Sequence, residues 1–114
     1  MFFKKAKEIK NIYEPQGPSG CFASNKITVK GKKVGYMYRE EPDPDSDFPD
    51  SGWRFFAGDE SDAYVNNPKN IQIFHLNTIC NYDESIIPYL DAPYGTAYFK
   101  ENGVFVKEDL STDE

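Results

Sequence analysis

Between Asp50 and Asp62 the chain reads D-S-G-W-R-F-F-A-G-D-E-S-D, and this stretch narrows its folding options more than any other. Aromatic residues side by side with a single arginine among them suit a pleated, half-buried surface and would crowd a helix. Side chains alternate across a strand, so Trp53, Phe55 and Ala57 share one face and Arg54 and Phe56 the other. Three acids follow at once: Asp59, Glu60 and Asp62. They suit the first turn of a helix, whose dipole favours negative charge. They also set a negative rim beside aromatic side chains.

The segment before this strand is as informative. E-E-P-D-P-D-S-D-F-P-D, residues 40–50, cannot form a helix or a central strand, because proline lacks the donor and like charges repel. It is read as an exposed loop. Charge is uneven along the chain: residues 1–39 carry nine basic and two acidic side chains, residues 40–62 one and nine, and residues 63–114 three and eight. The net of −6 argues against nucleic acid as a partner, since neutralising phosphates needs a basic footprint, and against anionic lipid. A length of 114 residues fits one domain, 1–114, with a small aromatic core. Cys21 and Cys80 form no CxxC and no paired spacing, MFFKKAKEIK lacks the apolar run of a signal peptide, and no stretch approaches the roughly 20 apolar residues of a membrane span. The expectation is a cytoplasmic protein with two free thiols.

Phe2, Ala6, Ile9 and Tyr13 mark one face of a helix with lysines off it, so residues 1–15 are expected to form a basic amphipathic N-terminal helix ended by Pro15. Residues 20–40 read as two strands around K-G-K-K, a hairpin turning at Gly31, with Tyr36 and Tyr38 on one face. A short helix is expected over 59–66 and a strand over 70–76 that includes Ile71 and Ile73; Asn77 or Thr78 could open a turn. Asp83 suits an N-cap for 84–90. Thr96–Phe99 and Val104–Val106 flank Asn102-Gly103 as a hairpin, and 107–114 reads as a frayed tail. The fold class is α+β: a mainly antiparallel sheet with two or three short helices packed on one face. Trp53, Phe55, Tyr36, Tyr38, Ile71 and Ile73 are the expected core.

Catalytic signatures are sparse. The single histidine, His75, sits in an apolar run, and Cys80, five residues on, is poorly spaced for contact with it within a strand or a helix. Asp43-x-Asp45-x-Asp47 superficially follows a calcium loop, but the sixth and twelfth positions, which need glycine and glutamate, hold Phe48 and Arg54. No glycine-rich phosphate loop or zinc spacing occurs. No enzyme, metal or cofactor is expected. What remains is a negative surface: Glu40, Glu41, Asp43, Asp45, Asp47, Asp50, Asp59, Glu60 and Asp62 are the candidate partner-binding residues. Such a field speeds encounter with a basic partner and rejects acidic ones. A solubilising loop with no partner is the plainer alternative.

The strings C-F-A-S-N-K-I-T-V, V-G-Y-M-Y-R-E-E-P, S-G-W-R-F-F-A-G-D-E-S-D and N-T-I-C-N-Y-D-E-S-I-I-P-Y-L-D-A-P-Y-G resemble the bacterial immunity protein thirty-three family, once known only as a domain of unknown function. The resemblance spans residues 20–106 and leaves the basic N-terminal segment outside. It implies an α+β immunity protein of a polymorphic toxin system that binds a cognate toxin in the cytoplasm, and it brings no catalytic residues. Two other readings stand beside it: a small ligand-binding or enzymatic domain with a pocket near Trp53 and His75, and an accessory domain without a private partner.

Overall fold

The computed structural model describes residues 7–109. Six strands form one sheet: β1 (Gly20–Ser24), β2 (Tyr36–Arg39), β3 (Asp50–Phe56), β4 (Ile71–His75), β5 (Thr96–Glu101) and β6 (Val104–Lys107), in the order β4-β1-β3-β2-β5-β6. Only β1 and β3 run parallel; every other neighbouring pair is antiparallel. Three short α-helices, α1 (Asn25–Thr28), α2 (Asp62–Val65) and α3 (Leu76–Tyr82), and two 3-10 turns (Pro68–Asn70 and Glu84–Tyr89) complete the α+β architecture.

The tryptophan strand is central. Trp53 and Phe55 are fully buried, stacked with ring centroids 5.9 Å apart, and the indole N–H donates to the Leu90 carbonyl. Around them pack Cys21, Ala23, Ile27, Met37, Leu76, Ile79, Cys80, Ile86 and Phe105. Every helix that adds a buried residue, α1, α3 and the 84–89 turn, therefore lies on this face; α2 adds none. Gly52, at φ +92°, lets β2 and β3 close up: a Cβ there would stand 2.2 Å from the Glu40 carbonyl oxygen.

Several expectations are corrected. β1 and β2 form no hairpin, because β3 inserts between them. The stretch after β1 coils instead: Ser24 accepts from the Lys26 N–H as an N-cap, and Ile27 turns into the core. Tyr36 and Tyr38 lie opposite Phe56 and Arg54, on the face away from the helices, and Met37, opposite Phe55, is the buried residue of β2. The same register error applies to Ile71 and Ile73: Ile73 pairs with Phe22 on that open face and is 51% exposed. Alternation says which residues share a face; it does not say which face receives the helices.

The basic N-terminal helix is absent over 7–15; residues 1–6 lie outside the described part. Two asparagines one turn apart on α3 hold this segment extended. Asn77 Oδ1 accepts from the Ile12 and Tyr13 N–H groups, Asn81 Oδ1 accepts from the Lys10 N–H, and both side-chain amides donate to the Lys10 carbonyl. Nor is the chain loose at 107: Lys107 closes β6, the Glu108 N–H donates to the Ala97 carbonyl, and the Tyr36 hydroxyl donates to the Glu108 carboxylate. Residues 110–114 lie outside the described part.

Other local expectations meet their elements. Asp83 caps the 84–89 turn through the Ser85 N–H, and Asn102 (φ 53°) with Gly103 (φ 80°) turns the β5–β6 hairpin; the helix expected over 59–66 is shorter, since Ser61 caps it and leaves Asp59 and Glu60 before its start.

Candidate functional site: the open sheet face and its acidic rim

The face of the sheet away from the core helices carries Ile73 on β4, Phe22 on β1, Arg54 and Phe56 on β3, Tyr36 and Tyr38 on β2, and Phe99 and Val106 beyond. Its aromatic rings are only partly covered. Tyr38 stacks on Phe56 at 6.1 Å, and Phe48, from the acidic loop, meets Phe22 edge-on at 5.5 Å. Half-buried aromatic rings that touch one another but no covering layer are a common composition for binding surfaces.

Arg54 anchors the loop to this face. Its Nη1 and Nη2 donate to the two oxygens of Asp50 at 2.8 Å each, and its Nε donates to Glu40 Oε2 at 2.7 Å. The guanidinium also lies 4.7 Å from the Phe22 ring centroid. Glu40 opens the proline-rich loop and Asp50, the first residue of β3, closes it, so one cation staples both of its feet. Arg54 and Asp50 are 7% and 6% exposed, whereas the Glu40 side chain is half open to water. Burial alone would raise the Asp50 carboxyl, but the guanidinium and the Gly52 N–H outweigh it and hold it below the ordinary carboxylate range. Burial works against the Arg54 charge too, and its two carboxylate partners more than restore it.

The nine candidate acids thus separate by what they touch. Asp50 is consumed by Arg54 and is closed to a partner; Glu40 shares that cation. Asp59 accepts from Lys32 Nζ at 2.6 Å and Lys26 Nζ at 3.1 Å, and these bonds pull its carboxyl down to about 2. Glu60 accepts from the Ala57 and Gly58 N–H groups, tying the turn after β3. Asp62 opens α2. Glu41, Asp43, Asp45 and Asp47 are exposed and, among the described residues, in no ion pair; of these four side chains Asp43 alone is engaged there, accepting from the Asp45 N–H. β3 separates the two acidic groups by its seven residues, about 20 Å of strand. In the group after β3, lysines from the basic third of the sequence pair with Asp59; in the group before it, Arg54 pairs with Glu40 and Asp50 and leaves Glu41, Asp43, Asp45 and Asp47 without a cation among the described residues.

His75 lies apart from Trp53, which is sealed in the core. The imidazole lines an open cleft of about 670 Å³ between the extended segment 9–15 and α3, with Ile9, Ile12, Tyr13 and Asn77. Its Nδ1 stands 3.3 Å from Ser19 Oγ. Both cysteines are buried and free; burial pushes the Cys21 thiol well up and Cys80 to about 12, the reverse of an activated nucleophile. Among the described residues no group of three or more His, Cys, Asp or Glu side chains could hold a metal ion, and no helix is long and apolar enough to cross a membrane.

Sequence reasoning missed the asparagine pair and the open aromatic face. The spacing of Asn77 and Asn81 was visible, but their backbone partner was not.

Together these features define a small α+β protein whose sheet is covered on one face and which displays, rather than converges, its unpaired carboxylates. A family model described as Immunity protein Imm33 domain matches residues 21–109, and the chain belongs to that family. Immunity proteins in general have a toxin protein as partner. The match takes in every strand but the first residue of β1, and leaves the segment held by Asn77 and Asn81 outside. No curated protein and no solved structure matches the chain at a significant level.

Proposed function

We propose that this protein binds a cognate toxin in the cytoplasm and neutralises it by covering the toxin's working surface, with no bond made or broken. The observation that carries this reading is the set of four carboxylates, Glu41, Asp43, Asp45 and Asp47, that no cation among the described residues neutralises, on a loop stiffened by Pro42, Pro44 and Pro49 and stapled by Arg54. A loop pinned at both feet loses little entropy on binding, so its charges meet a basic partner at small ordering cost. The aromatic face beneath supplies the apolar contact that charge alone lacks.

The test uses, as candidate toxin, the product of the gene next to the one that encodes this protein. Replacing Glu41, Asp43, Asp45 and Asp47 together by Gln and Asn is expected to slow association on the order of tenfold at low salt and to flatten its salt dependence, with the unfolding midpoint unchanged. Association kinetics equal to those of the parent protein would refute this surface.

A further inference from the structure

The sheet has two outer strands, and they differ in how they are guarded. β6 ends in Lys107, whereas β4 reads I-Q-I-F-H, with neither the lysine nor the proline that ordinarily discourages a strand edge from pairing. Among the described residues β4 pairs only with β1 and is the last strand on its side.

The direction of its free backbone groups follows from one bond. The Leu76 N–H donates to the Ser19 carbonyl at 2.7 Å, in line with the register that pairs Cys21 with Phe74 and Phe22 with Ile73. In an antiparallel ladder, residues that bond across alternate with residues whose N–H and C=O point away. Counting back from Leu76, Phe74 bonds to β1, while the His75 N–H and both backbone groups of Ile73 turn outward.

The side chains beside that edge form a receptor for an apolar group. Ile73, half exposed, borders a groove of about 160 Å³ with Phe48, Pro49, Phe74, Ser19 and His75. A space of that size suits one apolar side chain, since a cavity of about 150 Å³ accepts a benzene ring. Phe48 and Pro49 belong to the acidic loop, and Asp47, next to Phe48 in the chain, is exposed, as is Asp45; neither is in an ion pair with another described residue. Among the described residues neither lysine nor arginine lines the groove.

We propose that β4 accepts an added strand from the toxin: an extended, basic segment that bonds to Ile73 and His75, seats one apolar side chain against Phe48 and Ile73, and presents lysine or arginine to Asp45 and Asp47. This deepens the toxin-binding reading above and rests on it. Backbone pairing would supply affinity, and the groove and carboxylates would select the sequence.

Amide hydrogen exchange, residue by residue, tests it on the intact protein alone and mixed with a toxin that it neutralises, sought first as the product of the neighbouring gene. In the free protein the Ile73 and His75 amides should exchange fast and the Phe74 amide slowly; in the complex, Ile73 and His75 should slow by at least about tenfold. A complex that leaves both amides exchanging as before overturns strand addition while sparing the toxin-binding reading. Failure to form any complex takes both away. Protection that appears in the protein alone and grows with its concentration would assign the edge to a second copy and also overturn the proposal. As a further arm, Ile73→Pro deletes an outward donor without touching the β1 ladder. It is expected to weaken binding more than tenfold, and Ile73→Lys, which keeps the donor but fills the groove mouth with charge, to weaken it as well; unaltered affinity in both, with unchanged melting, refutes the proposal.

Discussion

Removing one member of the Arg54–Asp50 pair tests whether the acidic loop is stapled from within. Asp50→Asn keeps the volume and the bond to the Gly52 N–H while deleting the charge. Both partners are nearly buried and joined by two parallel bonds. Leaving one charge of such a pair uncompensated costs about 3–5 kcal/mol. Glu40 remains to share the guanidinium, so the lower end, about 3 kcal/mol, is expected for Asp50→Asn. Arg54→Met strips both carboxylates and belongs at the upper end, about 5 kcal/mol. Glu40→Gln removes the partly exposed arm alone and should cost about 0.5 kcal/mol. Urea unfolding at pH 7 reads these differences as shifts in midpoint at constant slope. In a thermal melt, about 3 kcal/mol corresponds to roughly 10 °C for a chain of this length.

The pH dependence has a definite sign. Asp50 is depressed in the folded state, so its contribution is full above the unfolded value, about 3.9, and fades as pH falls through the folded one. The gap between parent and Asp50→Asn should therefore be widest at neutral pH and shrink below about pH 4. If Asp50→Asn costs no more than Glu40→Gln at pH 7, or if its cost is the same at pH 3, Arg54 does not organise the loop as described.

Two further perturbations probe the frame. A Cβ on Gly35 would stand 2.0 Å from the Ala57 carbonyl oxygen, so Gly35→Ala should cost about 3 kcal/mol in urea unfolding, while Gly17→Ala, with nothing within 4 Å, should be neutral. Asn77→Ala deletes the acceptor for Ile12 and Tyr13 and a donor to Lys10; it should cost about 1–2 kcal/mol and speed amide exchange at Ile12 and Tyr13 without touching Phe55, and equal exchange in both proteins would contradict the bracing role.

Local chemistry was legible in the sequence alone. Aromatic alternation placed β3, Asn102-Gly103 made the last hairpin, Asp83 announced its cap, and prolines among acids excluded regular structure over 40–49, because each depends on residues a few positions apart. α3 was half legible: Leu76, Ile79 and Cys80 have helical spacing, but seven residues are too few to separate from a strand's end. What joins distant segments was decided by the tertiary structure. Inserting β3 between β1 and β2 cancelled an apparent hairpin, and the choice of covered face moved Tyr36, Tyr38, Ile71 and Ile73 out of the core. Lys26 and Lys32 reach Asp59 across 33 and 27 residues, so one acid of the block is quenched while Glu41, Asp43, Asp45 and Asp47 keep their charge exposed. Charge and hydrophobicity are properties of residues, whereas exposure and pairing are properties of the neighbours that folding brings, and a binding surface is made of the second kind.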